Sequence, residues 1–141
     1  MWSITSDIGL SKQLIEHGIR EEASVKFMKE ILQPDWTVID IGANLGYYAL
    51  LEAKLCKKVY AIEPIKESVL ALRESIKLNR YKNIKVDRLA IGNKNGESEI
   101  NLSKRSNWAT MIDRDKTSKN YQEKFNSFKK GKEIIKVMTL N

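Results

Sequence analysis

The chain has 141 residues, 42% hydrophobic and 30% charged, with a net charge of +7, which fits one globular domain with enough chain for a core. Its one cysteine, Cys56, excludes an intramolecular disulfide and a thiolate metal cluster. No run is long enough to span a bilayer, and Met1 to Leu10 lacks the basic start and continuous apolar core of a signal peptide, so a cytoplasmic protein is expected.

The first helical pattern runs from Ser11 to Leu32, in two pieces around Gly18. Leu14, Ile15 and Ile19 share one apolar face, and Ala23, Phe27, Met28, Ile31 and Leu32 share the next. Gly18 weakens a helix and marks the break. Pro34 closes the segment. His17 is the single histidine, and on a helix surface it reads as an ordinary exposed side chain rather than a base.

Val38, Ile39 and Ile41 form a β-branched run between the Pro34-Asp35 turn signal and Gly42, which predicts a buried strand. Asp40 interrupts the run near its carboxyl end. Gly42 and Gly46 punctuate a turn, and a helix is predicted from Tyr47 to about Leu55. Strand, glycine turn and helix make the first half of a nucleotide-binding βαβ unit. Gly42 has no Cβ to hold a ligand off the backbone, and Asn44 tolerates positive φ. Gly46 lets the helix start close to the strand, with its first N–H groups facing a carboxylate or phosphate. The spacing is D-x-G-x-x-x-G, with Asn44 where the middle glycine of G-x-G-x-x-G would stand, so NAD and FAD fit poorly.

Cys56-Lys57-Lys58 gives that helix a basic end, and Val59 to Ile62 is the second predicted strand. Glu63 follows 23 positions after Asp40. An acid at that place can accept both ribose hydroxyls of a nucleoside; the plainer reading is a charge at the start of the next helix. That helix is predicted over Glu67 to Leu78 and ends at Asn79. Ile84 to Ile91 is read as a third strand. Asn95-Gly96 has the chemistry of a two-residue type I′ hairpin turn, and Ser98, Ile100 and Leu102 alternate as in a half-exposed strand. Ser103 to Thr117 is polar and irregular around Trp108, Met111 and Ile112. Tyr121, Phe125 and Phe128 suggest a short helix from Ser118 to Lys130 with Gly131 as its cap, and Ile134 to Met138 is the last strand. The positive charge is concentrated over residues 101–141, with 10 Lys+Arg against 4 Asp+Glu. Such a segment attracts nucleic acid or other polyanions, and equally keeps a chain in solution. One domain over 1–141 is expected, with 1–33 as an N-terminal helical segment.

The D-x-G-x-N-x-G loop resembles that of seven-strand S-adenosylmethionine-dependent methyltransferases. Asp40-Ile41-Gly42-Ala43-Asn44-Leu45-Gly46 is similar to the opening motif of the FkbM family. The likeness continues through Val59-Tyr60-Ala61-Ile62-Glu63-Pro64, the stretch from Ala90 to Gly96, and Val137-Met138-Thr139-Leu140. It implies an α/β, Rossmann-like class I methyltransferase fold: a partial parallel sheet in order 3-2-1, helices on both faces and an added β-hairpin. It implies S-adenosyl-L-methionine as cofactor and methyl transfer to an oxygen, on a small-molecule or sugar hydroxyl. Asp40, Gly42 and Asn44 would surround the methionine part, with Ala43 and Gly46 in the same cofactor-binding loop. Glu63 would hold the ribose. The adenine would lie against Leu89 and Ala90 through backbone and apolar contacts, because Arg88-Leu89-Ala90 stands where many methyltransferases carry Gly-Asp-Ala. No catalytic base and no metal ligand is identified.

In the family a Thr-Leu-Asp-like segment leads on to a strand ending in Asp-x-Glu-Gly. Here Thr139-Leu140-Asn141 stands at that point, so the sequence reads as the cofactor-binding part only. The expected partners are an acceptor molecule and either a second copy or a separately encoded C-terminal half, with weak non-specific nucleic-acid binding and no membrane. One rival is an RNA methyltransferase: Glu74-Ser75-Ile76-Lys77-Leu78-Asn79 resembles a helix of tRNA guanine-N1 methyltransferases, though no Asn-Pro-Pro-Tyr is present. The other is a non-catalytic cofactor-binding fragment.

Overall fold

A computed structural model describes residues 21–104, 109, 111 and 129–140. Helix α1 (Glu22–Ile31) is the described part of the first helical pattern; Gly18 and His17 lie outside the described residues. Trp108, Ile112 and the Tyr121, Phe125, Phe128 pattern also lie outside them. Among the described residues no helix is long and apolar enough to cross a membrane.

Gln33-Pro34-Asp35-Trp36 turns the chain, with the Trp36 N–H on the Gln33 carbonyl at 3.1 Å. Proline in the second position presets the φ that such a turn needs. Strand β1 (Thr37–Ile41), helix α2 (Tyr47–Leu55), strand β2 (Lys58–Ile62), helix α3 (Lys66–Leu78) and strand β3 (Ile84–Asp87) follow. The strands form a parallel sheet in the order β1-β2-β3, with Val38 beside Val59 and Ala61 beside Val86. This is the predicted 3-2-1 order. Asn83 ties the layers together: its Nδ2 donates to the Ala53 and Cys56 carbonyls at 2.8 and 3.0 Å, satisfying the open end of α2.

The core lies on one face of this sheet. Ala49 and Ala53 of α2 and Leu72 of α3 both pack on Val59 and Ala61, all nearly or fully buried. Parallel βαβ units are right-handed, and strands added in one direction therefore carry their helices on the same side. The expectation of helices on both faces is corrected accordingly: among the described residues α2 and α3 share one. The other face carries Thr37, Ile39 and Ile41 from β1, Lys58 and Tyr60 from β2, and Lys85 from β3. Ile39 is 54% and Ile41 53% exposed. Lys58 and Lys85 sit 4.7 and 5.7 Å from the Tyr60 ring centre.

The predicted third strand is two strands in two sheets. β3 stops at Asp87, where the Leu89 N–H turns back to the Asp87 carbonyl at 3.2 Å. β4 (Ala90–Ile91) then enters a second sheet with β5 (Gly96–Ser103) and β6 (Lys129–Met138), in order β4-β6-β5. The expected β-hairpin at Asn95-Gly96 is not formed. β4 and β5 never pair with each other; β6 lies between them, parallel to β4 and antiparallel to β5. Asn95 serves another purpose, its Oδ1 accepting the Thr139 N–H at 2.8 Å. Nor is Gly131 a helix cap, since it and Lys130 lie within β6, next to the register shift at Leu102/Ser103. Ile65, Ala90, Ile100, Ile135 and Val137 form the core of this second unit. Arg88 fastens it to the first, pairing with Glu133 of β6 and donating from Nε to the Pro64 carbonyl at 3.3 Å.

Candidate functional site

The carboxyl ends of β1, β2 and β3 converge on one crevice edge. β1 delivers the glycine loop, β2 delivers Glu63-Pro64, and β3 delivers Arg88-Leu89. Gly42 takes φ +82° and its N–H, with that of Ala43, donates back to the Ile62 carbonyl at 2.8 and 3.1 Å. A Cβ built on Gly42 would meet nothing within 4 Å, so open space lies over the backbone where a ligand would approach. Gly46 is glycine for a different reason. At φ +88° it begins α2, and a Cβ there would lie 2.2 Å from Leu72 Cδ1. The loop is pinned against α3 by that contact.

Asn44 has φ 52°, as its residue type allows. Its N–H donates to Glu63 Oε2 at 2.9 Å, and its side-chain oxygen accepts the Ser68 hydroxyl at 3.4 Å. Glu63 is 5% exposed, and its second oxygen accepts the Ile65 N–H at 2.9 Å. The carboxylate thus bridges the glycine loop to the start of α3. Burial raises its pKa; the Ile65 and Asn44 N–H groups oppose this, and the charges of Asp40 and Glu133 add to it. A carboxylate has about four acceptor positions, so two hydrogen bonds leave room for ribose hydroxyls.

Asp40 is placed differently from its loop neighbours. It stands beside Ala61 in the register, on the helix-covered face of β1. Desolvation raises its pKa while the Ala49 backbone N–H, in the first turn of α2, favours its charged form. The side chains of Ala43 and Ala90 are buried in the two cores, leaving only their backbone to meet a ligand, and Leu89 is half-buried between the sheets. Gly42, Asn44 and Glu63 are therefore brought together, while Asp40, Ala43 and Ala90 turn into the structure. Sequence reasoning missed Ser68, Arg88, Glu133 and Glu52, which support the site. Among the described residues no group of three or more His, Cys, Asp or Glu is placed to hold a metal ion.

Residues 40–141 match the family model described as "Methyltransferase FkbM domain". The chain is 33% identical over 63 residues to ribosomal protein L11 methyltransferase of Thermoanaerobacter sp. (strain X514), covering 44% of this chain and 20% of that protein. It is 37% identical over 55 residues to protein-L-isoaspartate O-methyltransferase 1 of Polaromonas sp., covering 39% of this chain and 23% of the relative. The matched region thus spans about a fifth of the length of these curated relatives. Among solved structures, M. jannaschii TYW2 in complex with AdoMet aligns with 31% identity and a TM-score of 0.42, over 61% of this chain and 33% of that one.

Proposed function

Because the chain belongs to the FkbM methyltransferase family, we propose that its crevice holds S-adenosylmethionine and that the assembled enzyme methylates a hydroxyl oxygen of a small molecule or sugar. The observation that carries this reading is the open space over Gly42 beside the Asn44–Glu63 bridge. The residues fit the cofactor's chemistry: a Cβ-free backbone for close approach, and a carboxylate with acceptor capacity for two ribose hydroxyls. The cofactor supplies an activated methyl group. The protein's part is to orient it and exclude water. Gly42 and Asn44 would take the methionine end, Glu63 the ribose, and the backbone of Leu89 and Ala90 the adenine.

β1 is the outer strand of the parallel sheet among the described residues, and Ile39, Ile41 and Trp36 beside it are exposed. An open strand edge beside apolar side chains invites pairing. A second copy or a further polypeptide segment against β1 would complete the crevice wall. Isothermal calorimetry of the chain with S-adenosylmethionine, S-adenosylhomocysteine and NAD tests the reading. Binding of the two sulfur nucleosides, with NAD weaker by at least tenfold, is expected. Tighter NAD binding would sink it.

A further inference from the structure

The segment Glu63-Pro64-Ile65 crosses from the end of β2 to the second core, and each of its residues is tied down separately. The Glu63 N–H donates to the Asp87 carbonyl at 3.2 Å, at the end of β3. The Ile65 side chain is buried with Ala90, Ile100, Ile135 and Val137, and its N–H donates to Glu63 Oε1 at 2.9 Å. Pro64 has no N–H, so its carbonyl is the one backbone group by which hydrogen bonding can fix it. Arg88 supplies that bond from Nε at 3.3 Å, while its Nη2 pairs with the Glu133 carboxylate of β6. A guanidinium can hold two acceptors at once because its donors are spread over a rigid plane, whereas a lysine ammonium has a single nitrogen.

We propose that Arg88 is the positioning residue of Glu63: its two-armed hold on the Pro64 carbonyl and on Glu133 fixes the Glu63 carboxylate between the two sheets, aimed at the Asn44 and Ile65 N–H groups and at the hydroxyls of a bound nucleoside. The nucleoside rests on the proposed function; the hold on the carboxylate does not. Charge adds to the geometry. Glu63 meets the Asp40 charge from β1 and the Glu133 charge from β6, and α3 brings the Ser68 hydroxyl, bonded to Asn44. Burial raises the Glu63 pKa most; the two N–H groups oppose this, and the Asp40 and Glu133 charges raise it further. Arg88 sets a cation against Glu133 and so shields Glu63 from it. The second sheet thereby acts on the crevice through one side chain, although none of its strands carries a residue of the glycine loop.

Amide exchange in the full chain, read by NMR, tests the position without a ligand. In Arg88→Ala the Asn44 and Ile65 amides should exchange about tenfold faster while that of Leu72, within α3, stays as it was. Equal acceleration at Leu72 would mean general loosening and would overturn the inference. Calorimetry tests the consequence, with S-adenosylhomocysteine and an analogue lacking both ribose hydroxyls. The wild type should prefer S-adenosylhomocysteine by about tenfold or more. Arg88→Ala should lose most of that preference, because general destabilisation would weaken both ligands alike. Arg88→Lys keeps the charge without the two-armed geometry, and decides the matter if Arg88→Ala does not fold. It should resemble Arg88→Ala; a wild-type preference in it would overturn the clamp. As pH falls Glu63 takes up a proton and affinity for S-adenosylhomocysteine drops. With Glu133 left unshielded in Arg88→Ala, that drop should begin at higher pH, and adding Glu133→Gln should move it back. An unchanged preference and pH profile in Arg88→Ala would overturn the inference as well. Absence of nucleoside binding by the wild type, with the amide response intact, would break the cofactor reading and leave the hold on Glu63 standing.

Discussion

The two faces of the parallel sheet are built from the same three strands and differ in almost everything else. On one, Val59 and Ala61 are fully buried under Ala49, Ala53 and Leu72. On the other, Ile39 and Ile41 are about half exposed and Tyr60 lies beneath two lysines. The covered face fixes the helix starts, and through them the glycine loop. The bare face has apolar surface at its β1 side and positive charge at the amino ends of β2 and β3. Packing is dense on the face whose helix follows the glycine loop and sparse on the face that leaves Ile39 and Ile41 exposed.

Substitutions on the covered face should therefore cost far more than those on the bare one. The largest effect is expected for Gly46→Ala, which combines a left-handed backbone with overlap against the fully buried Leu72. Strain and overpacking each contribute about 1–3 kcal/mol, and chemical denaturation should read a loss of roughly 2–6 kcal/mol. A loss below about 1 kcal/mol would mean that the loop is looser than its packing implies. Glu63→Ala comes next. Glu63 is buried and holds two backbone N–H groups. Each stranded N–H costs about 1–3 kcal/mol, so the melting point should drop together with cofactor affinity. Unchanged stability with lost affinity would make Glu63 a ligand contact alone. On the bare face, Ile39→Ser should change monomer stability by less than about 0.5 kcal/mol, while lowering any self-association seen by analytical ultracentrifugation. A large destabilisation of the monomer would show that Ile39 is already covered. Smallest of all is Lys132→Ala, which removes a half-exposed pair with Glu99 at 2.5 Å. Surface pairs of this kind contribute about 0–1 kcal/mol, and the melting curve should barely move.

The parallel sheet was legible in the chain, although the bareness of one of its faces was not. The β-branched run at Val38 to Ile41, the glycines that follow, and the acid after the second strand announced the strand, turn and helix units of the parallel sheet. Period-two and period-3.6 patterns are local, and these elements are joined by local crossovers. The second sheet was misread for the converse reason. Asn95-Gly96 carries hairpin chemistry, yet the partner of both flanking strands is β6, and nothing in a local window announces a partner so far along the chain. Gly131 reads as a cap next to an apolar helical pattern, whereas in β6 it borders a register shift. The inward placement of Asp40 was hidden as well, because a motif puts an acid on a strand, but which face it occupies depends on register against β2.

The placement of β6 between β4 and β5 also has a consequence in time. A ribosome releases β1, α2, β2, α3 and β3 in an order that lets the parallel sheet pair as it emerges. The second sheet cannot do so, because Ile91 waits for Met138 and Ser103 for Lys129. At about 5–20 residues per second these are delays of roughly 1–9 s. Through that interval β5 stands with both edges unpaired, a template for the wrong strand. Its alternation of Glu97 and Glu99 with Ser98 and Ile100 puts like charges along one side of the waiting strand. Those charges make the nascent strand a poor match for another copy of itself until β6 arrives with Lys136 opposite Glu97 and Lys132 reaching diagonally to Glu99.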